Sequence, residues 1–151
     1  MLTIIEYGHE HLNACAGLYH KTFAAEPFNF AWLTEDAVRR YFADAARHPR
    51  FLGYIPLTDG VPAGACLGCV DDYAGGAVYE IREFFVERGS QGRGLGAEFL
   101  AAIEKDLTNR DISCITLLTR NDIPAYGFYL KNGYAENAGA VLLAKNLASS
   151  F

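Results

Sequence analysis

Six consecutive residues, Gln91-Gly92-Arg93-Gly94-Leu95-Gly96, set three glycines at alternate positions just before an apolar helical pattern. Leu95, Phe99, Ile103 and Leu107 recur every four residues, which predicts a helix over about residues 94–108 with one buried face. The N–H groups at a helix start have no acceptor within the helix and lie at the positive end of its dipole. Glycines let a ligand approach the backbone closely, and Arg93 adds a charge. The chemistry this favours is anion binding, a phosphate above all. A P-loop would need a Gly-Lys-Ser/Thr ending, which is absent, and a dinucleotide fold would place its turn after the first strand of a βαβ unit, whereas this turn follows a fourth strand.

Other reactive side chains carry less by themselves. Cys66 and Cys69 have CxxC spacing but lie in an apolar, glycine-rich stretch with no second close pair of Cys or His, so no metal is expected. Together with Cys15 and Cys114 they are expected as reduced thiols, since a domain this apolar needs no disulfide staples.

The elements that must hold the turn follow from periodicity. Residues 2–7 predict a strand and residues 10–23 a helix, with Leu12, Ala16, Leu18, Tyr19 and Phe23 at helical spacing. Thr34, followed by Glu35 and Asp36, predicts the capped start of a second helix running to about Arg47. Asp59-Gly60 predicts a tight hairpin between strands at 51–57 and 61–70. A loop through Asp71, Asp72, Gly75 and Gly76 leads to a strand at 77–87, whose Phe84-Phe85-Val86 run reads as buried on both faces. A fifth strand is expected at 112–119 and a short helix from Pro124 to the Asn132-Gly133 stop, with one or two short strands in 134–147. The order is β, α, α, β, β, β, α, β, α, β.

The 151 residues, 51% of them hydrophobic, suit one domain spanning 1–151. A net charge of -5 with no Lys or Arg run argues against a nucleic acid partner and suits a cationic one. No long apolar run opens the chain, so no membrane association is expected and the cytoplasm is the expected location.

The segment 86–96, VERGSQGRGLG, resembles the Q/R-x-x-G-x-G/A signature of the Gcn5-related N-acetyltransferase family with its preceding strand. A second segment, AYGFYLKNGY at 125–134, is similar to the family's C-terminal motif, and the element order agrees over nearly the whole chain. The resemblance implies an acyl-CoA N-acyltransferase fold of the α/β (α+β) class. Its mixed, mostly antiparallel sheet of six or seven strands would be flanked by about four helices. It implies an enzyme that moves an acetyl group from acetyl-CoA, as co-substrate, to an amine by direct transfer in a ternary complex. A weaker similarity links residues 28–86 to the aminoglycoside 6'-acetyltransferase branch.

From that resemblance, Phe84, Phe85 and Val86 would pair with the cofactor pantetheine through their main chain. Gln91, Gly92, Arg93, Gly94, Leu95, Gly96 and Ala97 would hold its pyrophosphate. The amide near Phe84 would polarise the thioester carbonyl, a contribution of roughly 3 kcal/mol. An alkylammonium has a pKa near about 10.4, so a base or water chain must take its proton. Glu80 and Glu83 are the candidates, and strand alternation puts them on opposite faces unless a bulge intervenes. Tyr129 matches the family tyrosine that protonates the leaving thiolate. The family often has Asn where this chain has Asp122, so either Asn121 or Asp122 would contact the cofactor.

Phe28, Phe30 and Trp32, with Asp71 farther on, are the candidate substrate wall, since aromatics and acids suit a cationic amine. The acceptor class is a small-molecule primary amine, with a homodimer among the possible assemblies. Two further readings stay open: a non-catalytic acetyl-CoA-binding regulatory module, and an acetyltransferase acting on a protein N-terminus or lysine.

Overall fold

The computed structural model describes residues 2–24 and 33–148. It divides into two compact units, the first ending at Leu118 and the second beginning at Thr119.

The first unit is built on a six-stranded sheet: β1 (Leu2–Glu6), β2 (Phe51–Thr58), β3 (Val61–Pro62), β4 (Gly64–Tyr73), β5 (Gly76–Val86) and β6 (Ile112–Leu117). The order is β1-β2-β4-β5-β6, with β3 paired to β2. Every pairing is antiparallel except β5 with β6. Asp59 and Gly60 both take left-handed φ, 53° and 79°, which is the twist a two-residue hairpin between β2 and β3 requires. The expected single strand at 61–70 is instead interrupted at Ala63, whose N–H turns to the Pro56 carbonyl while Pro62 has no N–H to give. β4 then runs past the expected loop to Tyr73, because Asp71 and Asp72 pair with Val78 and Ala77.

Among the described residues, three α-helices cover the sheet: α1 (Leu12–Ala24), α2 (Glu35–Ala45) and α3 (Leu95–Asn109). Thr34 caps α2 as expected, its Oγ1 accepting the Ala37 N–H at 3.0 Å. On one face, Cys15 and Ala16 of α1 and Val38 and Phe42 of α2 close over Ile55, Ala65, Leu67 and Phe85. On the other, Phe99 of α3 stacks on Phe84 with centroids 5.1 Å apart, and the Tyr54 hydroxyl donates to Asp106 at 2.6 Å. Burying each large apolar side chain is worth about 1.5–3 kcal/mol, so these two layers dominate the unit's stability.

The second unit holds α4 (Pro124–Lys131), with Pro124 in its first turn and Gly133 at φ 93° just past its end, as the sequence predicts. The short strands expected in 134–147 do not form among the described residues. Val141, Leu142, Leu143 and Leu147 are exposed there, and an apolar run becomes a strand only where a neighbouring edge supplies its hydrogen bonds.

Candidate active site

β5 organises the site. Opposite β4, Glu80 faces Cys69 and Ile81 faces Gly68, yet Glu83 faces Leu67 and Phe84 faces Cys66. Arg82 is therefore one residue too many, a bulge. Its effect on side-chain direction is decisive. Residues directly opposite share a face, and Leu67 and Cys69 are two apart on β4, so Glu80 and Glu83 point to the same side of the sheet. That side carries α1 and α2, as the presence of Leu67 in their core requires. The ladder from β5 to β6 ends at Ile81 and Leu117, so the last turn of β5 past the bulge runs on beyond that pairing.

The two glutamates differ sharply. Glu80 is ion-paired to Arg82, Nε to Oε1 at 2.7 Å, with both side chains about half exposed. Tyr41 donates to Glu83 Oε2 at 3.0 Å, and the Tyr19 phenol lies beside the same carboxyl. Burial pushes the Glu83 carboxyl above the usual carboxylate range, against the opposing pull of the Tyr41 and Tyr19 phenols. The same burial, with Glu83 beside them, pushes both phenols up, so they stay protonated. The Tyr19 ring is fixed by Phe23, Phe42 and Phe85, at 4.5, 5.4 and 5.1 Å between centroids.

Tyr19 and Tyr41 are absent from the sequence-derived site. Helical spacing marks Tyr19 only as an apolar position. The available signal is that a tyrosine on a buried stripe, where phenylalanine would pack equally well, needs an acceptor for its hydroxyl.

At the end of β5 the 91–96 turn has the predicted form. Gly92 and Gly94 take φ of 80° and 78°, and Gly94 is the N-cap of α3. Glu98 N–H bonds back to Gly94 O at 3.1 Å, so the N–H groups of Leu95, Gly96 and Ala97 are the first-turn donors without an acceptor inside the helix. Gln91 serves differently: its N–H bonds to Arg88 O at 3.2 Å and its side-chain amide to Val86 O at 3.0 Å, tying the turn to the strand end. Arg93 is exposed. Phe84 and Phe85 point to opposite faces, one onto Phe99 and the other into the α1 and α2 core.

Asp71 lies on the same face as Cys69 and Glu80, 4.0 Å from both the Cys69 thiol and His48 Nε2. A cavity of about 280 Å³ opens beside it, lined in part by His48, Cys69 and Arg82. Phe28, Phe30 and Trp32 lie outside the described residues. Within the second unit, Asn121 is exposed and Asp122 is paired with Arg120 at 2.5 Å. Tyr129 there is 9% exposed and packs edge-on against Phe128 and Tyr134, at 5.3 and 5.5 Å.

Among the described residues, no group of three or more His, Cys, Asp or Glu side chains is placed to hold a metal ion, and no helix is long and apolar enough to cross a membrane.

Residues 15–134 match the Acetyltransferase (GNAT) family model. No curated protein matches the chain. Solved structures that share the fold include AAC(6')-Iy in complex with the bisubstrate analog CoA-S-monomethyl-acetylneamine, at 18% identity and TM-score 0.70, covering 97% of this chain and 99% of that one. A second is the aminoglycoside acetyltransferase meta-AAC0020 from an uncultured soil metagenomic sample, in complex with sisomicin, at 14% identity and TM-score 0.70, covering 97% of each chain. A third is a putative acetyl transferase from Pyrococcus furiosus, at 18% identity and TM-score 0.74, covering 97% of this chain and 100% of that one.

Proposed function

Since the chain belongs to the acetyltransferase (GNAT) family, we propose that it moves an acetyl group from acetyl-CoA to a primary amine of a small cationic molecule, by direct transfer in a ternary complex. The observation that carries this reading is a single strand, β5, with a glutamate hydrogen-bonded by Tyr41 just past its bulge and a glycine turn after its end. The family match extends from residue 15 to 134 and so crosses both units, which supports treating 1–151 as one domain.

The residues present fit the cofactor. Two left-handed glycines, three first-turn N–H groups and Arg93 suit a pyrophosphate, and a Cβ added at Gly92 or Gly94 would meet nothing within 4 Å, so the approach is open. Phe84, Phe85 and Val86 would offer main-chain groups to the pantetheine. Bound there, acetyl-CoA supplies an activated acetyl thioester.

The chain's own residues would do the rest. At neutral pH only roughly one alkylamine in a few thousand is unprotonated, so a group must take the ammonium proton. Glu83 suits this better than Glu80, because it is partly buried and that burial raises its carboxyl above the usual carboxylate range, whereas Glu80 is occupied by Arg82. Tyr129 would donate the proton that the departing thiolate needs, and Asp71 would add negative charge on the acceptor side. The aminoglycoside acetyltransferases among the structures of like fold, one of them holding sisomicin, support an amine-rich acceptor. A cytoplasmic location fits the same reading.

The test is acetyl-CoA binding by titration calorimetry, followed by thiol release with a panel of polyamines, amino sugars, amino acids and peptides. Binding with turnover on a small amine is expected. Absence of binding at millimolar acetyl-CoA would sink the reading, and binding without turnover on any amine would replace it with a non-catalytic acetyl-CoA-binding module.

A further inference from the structure

We propose that Tyr41, with Tyr19 packed beside it, is a positioning residue that holds the Glu83 carboxylate for one task, taking the proton of the acceptor ammonium. This rests on the acetyl-transfer reading above. Tyr41 of α2 reaches the Glu83 carboxylate, with Tyr19 of α1 beside it, just past the bulge where β5 loses its regular register with β4. Without the extra residue at Arg82, Glu83 would turn to the α3 face and neither phenol could reach it.

The chemistry of the cluster is specific. A carboxylate has about four acceptor positions, and the Tyr41 donor leaves the remaining ones for an ammonium. Both phenols are held protonated by burial and by Glu83 itself, so Tyr41 serves as a fixed donor throughout. Among the described residues, few other titratable groups lie near Glu83. The Cys66 thiol sits on the opposite face of the sheet, paired with Phe84, and is pushed up to about 12 by burial, so it stays neutral. Glu80 and Arg82 lie on β5 itself and neutralise one another. The balance at Glu83 is therefore between burial, which favours the neutral acid, and the two phenols, which favour the carboxylate.

In the step itself, the ammonium N–H bond breaks, its electron pair stays on nitrogen, and the proton forms a bond to a Glu83 oxygen, from which solvent later removes it. Tyr41 is 43% exposed, so it borders the space an acceptor would enter, while Tyr19 is fixed in the aromatic layer.

The experiment uses the full chain with sisomicin and spermidine as acceptors. The wild type, Tyr41→Phe, Tyr19→Phe and Glu83→Gln are compared in two ways: kcat/KM against pH, and carboxyl 13C NMR titration with the Glu83 signal identified by its loss in Glu83→Gln. Both Phe substitutions keep the ring, and thermal unfolding checks that they fold. Each is expected to move the Glu83 titration and the acid limb of the rate profile to higher pH together, with a loss of roughly tenfold in kcat/KM on the acid side, the scale of one hydrogen bond to a charged group. Added to Glu83→Gln, Tyr41→Phe should cause no further loss. An unchanged Glu83 titration in Tyr41→Phe and Tyr19→Phe would overturn the positioning role. A moved titration with no thiol release from any acceptor would leave that role standing and overturn the acetyl-transfer reading.

Discussion

Glu80 and Glu83 present their carboxylates to the same face of the sheet although they are three residues apart on one strand, because the bulge at Arg82 inserts an extra step between them. The bulge also separates their fates, since its own guanidinium takes Glu80 and leaves Glu83 to the phenols of Tyr19 and Tyr41.

The register around the bulge depends on Gly68. A Cβ there would stand 2.4 Å from Cζ of Tyr79 and 2.5 Å from the Glu80 carbonyl oxygen. The Tyr79 ring is held by its hydroxyl bond to Leu52 O at 2.7 Å and cannot swing aside freely. Gly68→Ala should therefore cost about 1–3 kcal/mol, read as a lower urea midpoint with unchanged slope. An unaltered midpoint would show that the strands separate locally at no cost.

Gly94 at φ 78° is the N-cap of α3. Gly94→Ala places a Cβ in the left-handed region at a cost of about 1–2 kcal/mol, although the space around it is open. Two measurements follow: a reduced unfolding midpoint, and acetyl-CoA affinity weakened by roughly tenfold, the equivalent of about 1.4 kcal/mol. Unchanged affinity would remove the turn as the pyrophosphate site.

Glu83 links stability to pH with a definite sign. Its carboxyl is raised in the folded state by burial, so the folded protein binds that proton more tightly than the unfolded chain does. The stabilising contribution is complete below the unfolded value and is lost as pH rises through the folded one. Glu83→Gln, a neutral isostere, should therefore gain stability over the wild type as pH increases through that window, and the two curves should run level below it. Thermal unfolding across pH measures this, and a gain confined to low pH would contradict it.

Tyr129 packs against Phe128 and Tyr134, and phenylalanine would keep those contacts. If its hydroxyl protonates the departing thiolate, Tyr129→Phe should lower kcat by roughly 10²-fold or more with acetyl-CoA affinity unchanged. Steady-state kinetics beside calorimetry would separate the two effects, and equal kcat would remove Tyr129 as the acid.

Much of the frame was legible because it is local. Asp59-Gly60 dictates its hairpin, Thr34 its cap, the glycine turn its left-handed residues, and Pro124 the start of α4. The break at Ala63 and the strand ends at Asp71 and Asp72 were not, since they depend on which residues of the neighbouring strands offer hydrogen bonds. The same dependence decided residues 134–147, where β-compatible composition did not become a strand.

By itself the sequence determined the family, most of the element order and the glycine turn at the start of α3, because periodicity, turn chemistry and a contiguous motif are properties of short segments. Only tertiary structure decided how the two candidate bases are placed. Whether Glu80 and Glu83 share a face is fixed by the β4 register, and which of them meets the phenols of Tyr19 and Tyr41 is fixed by two helices from an earlier part of the chain. A side chain's face and its partners are relations between segments, and no segment carries them alone.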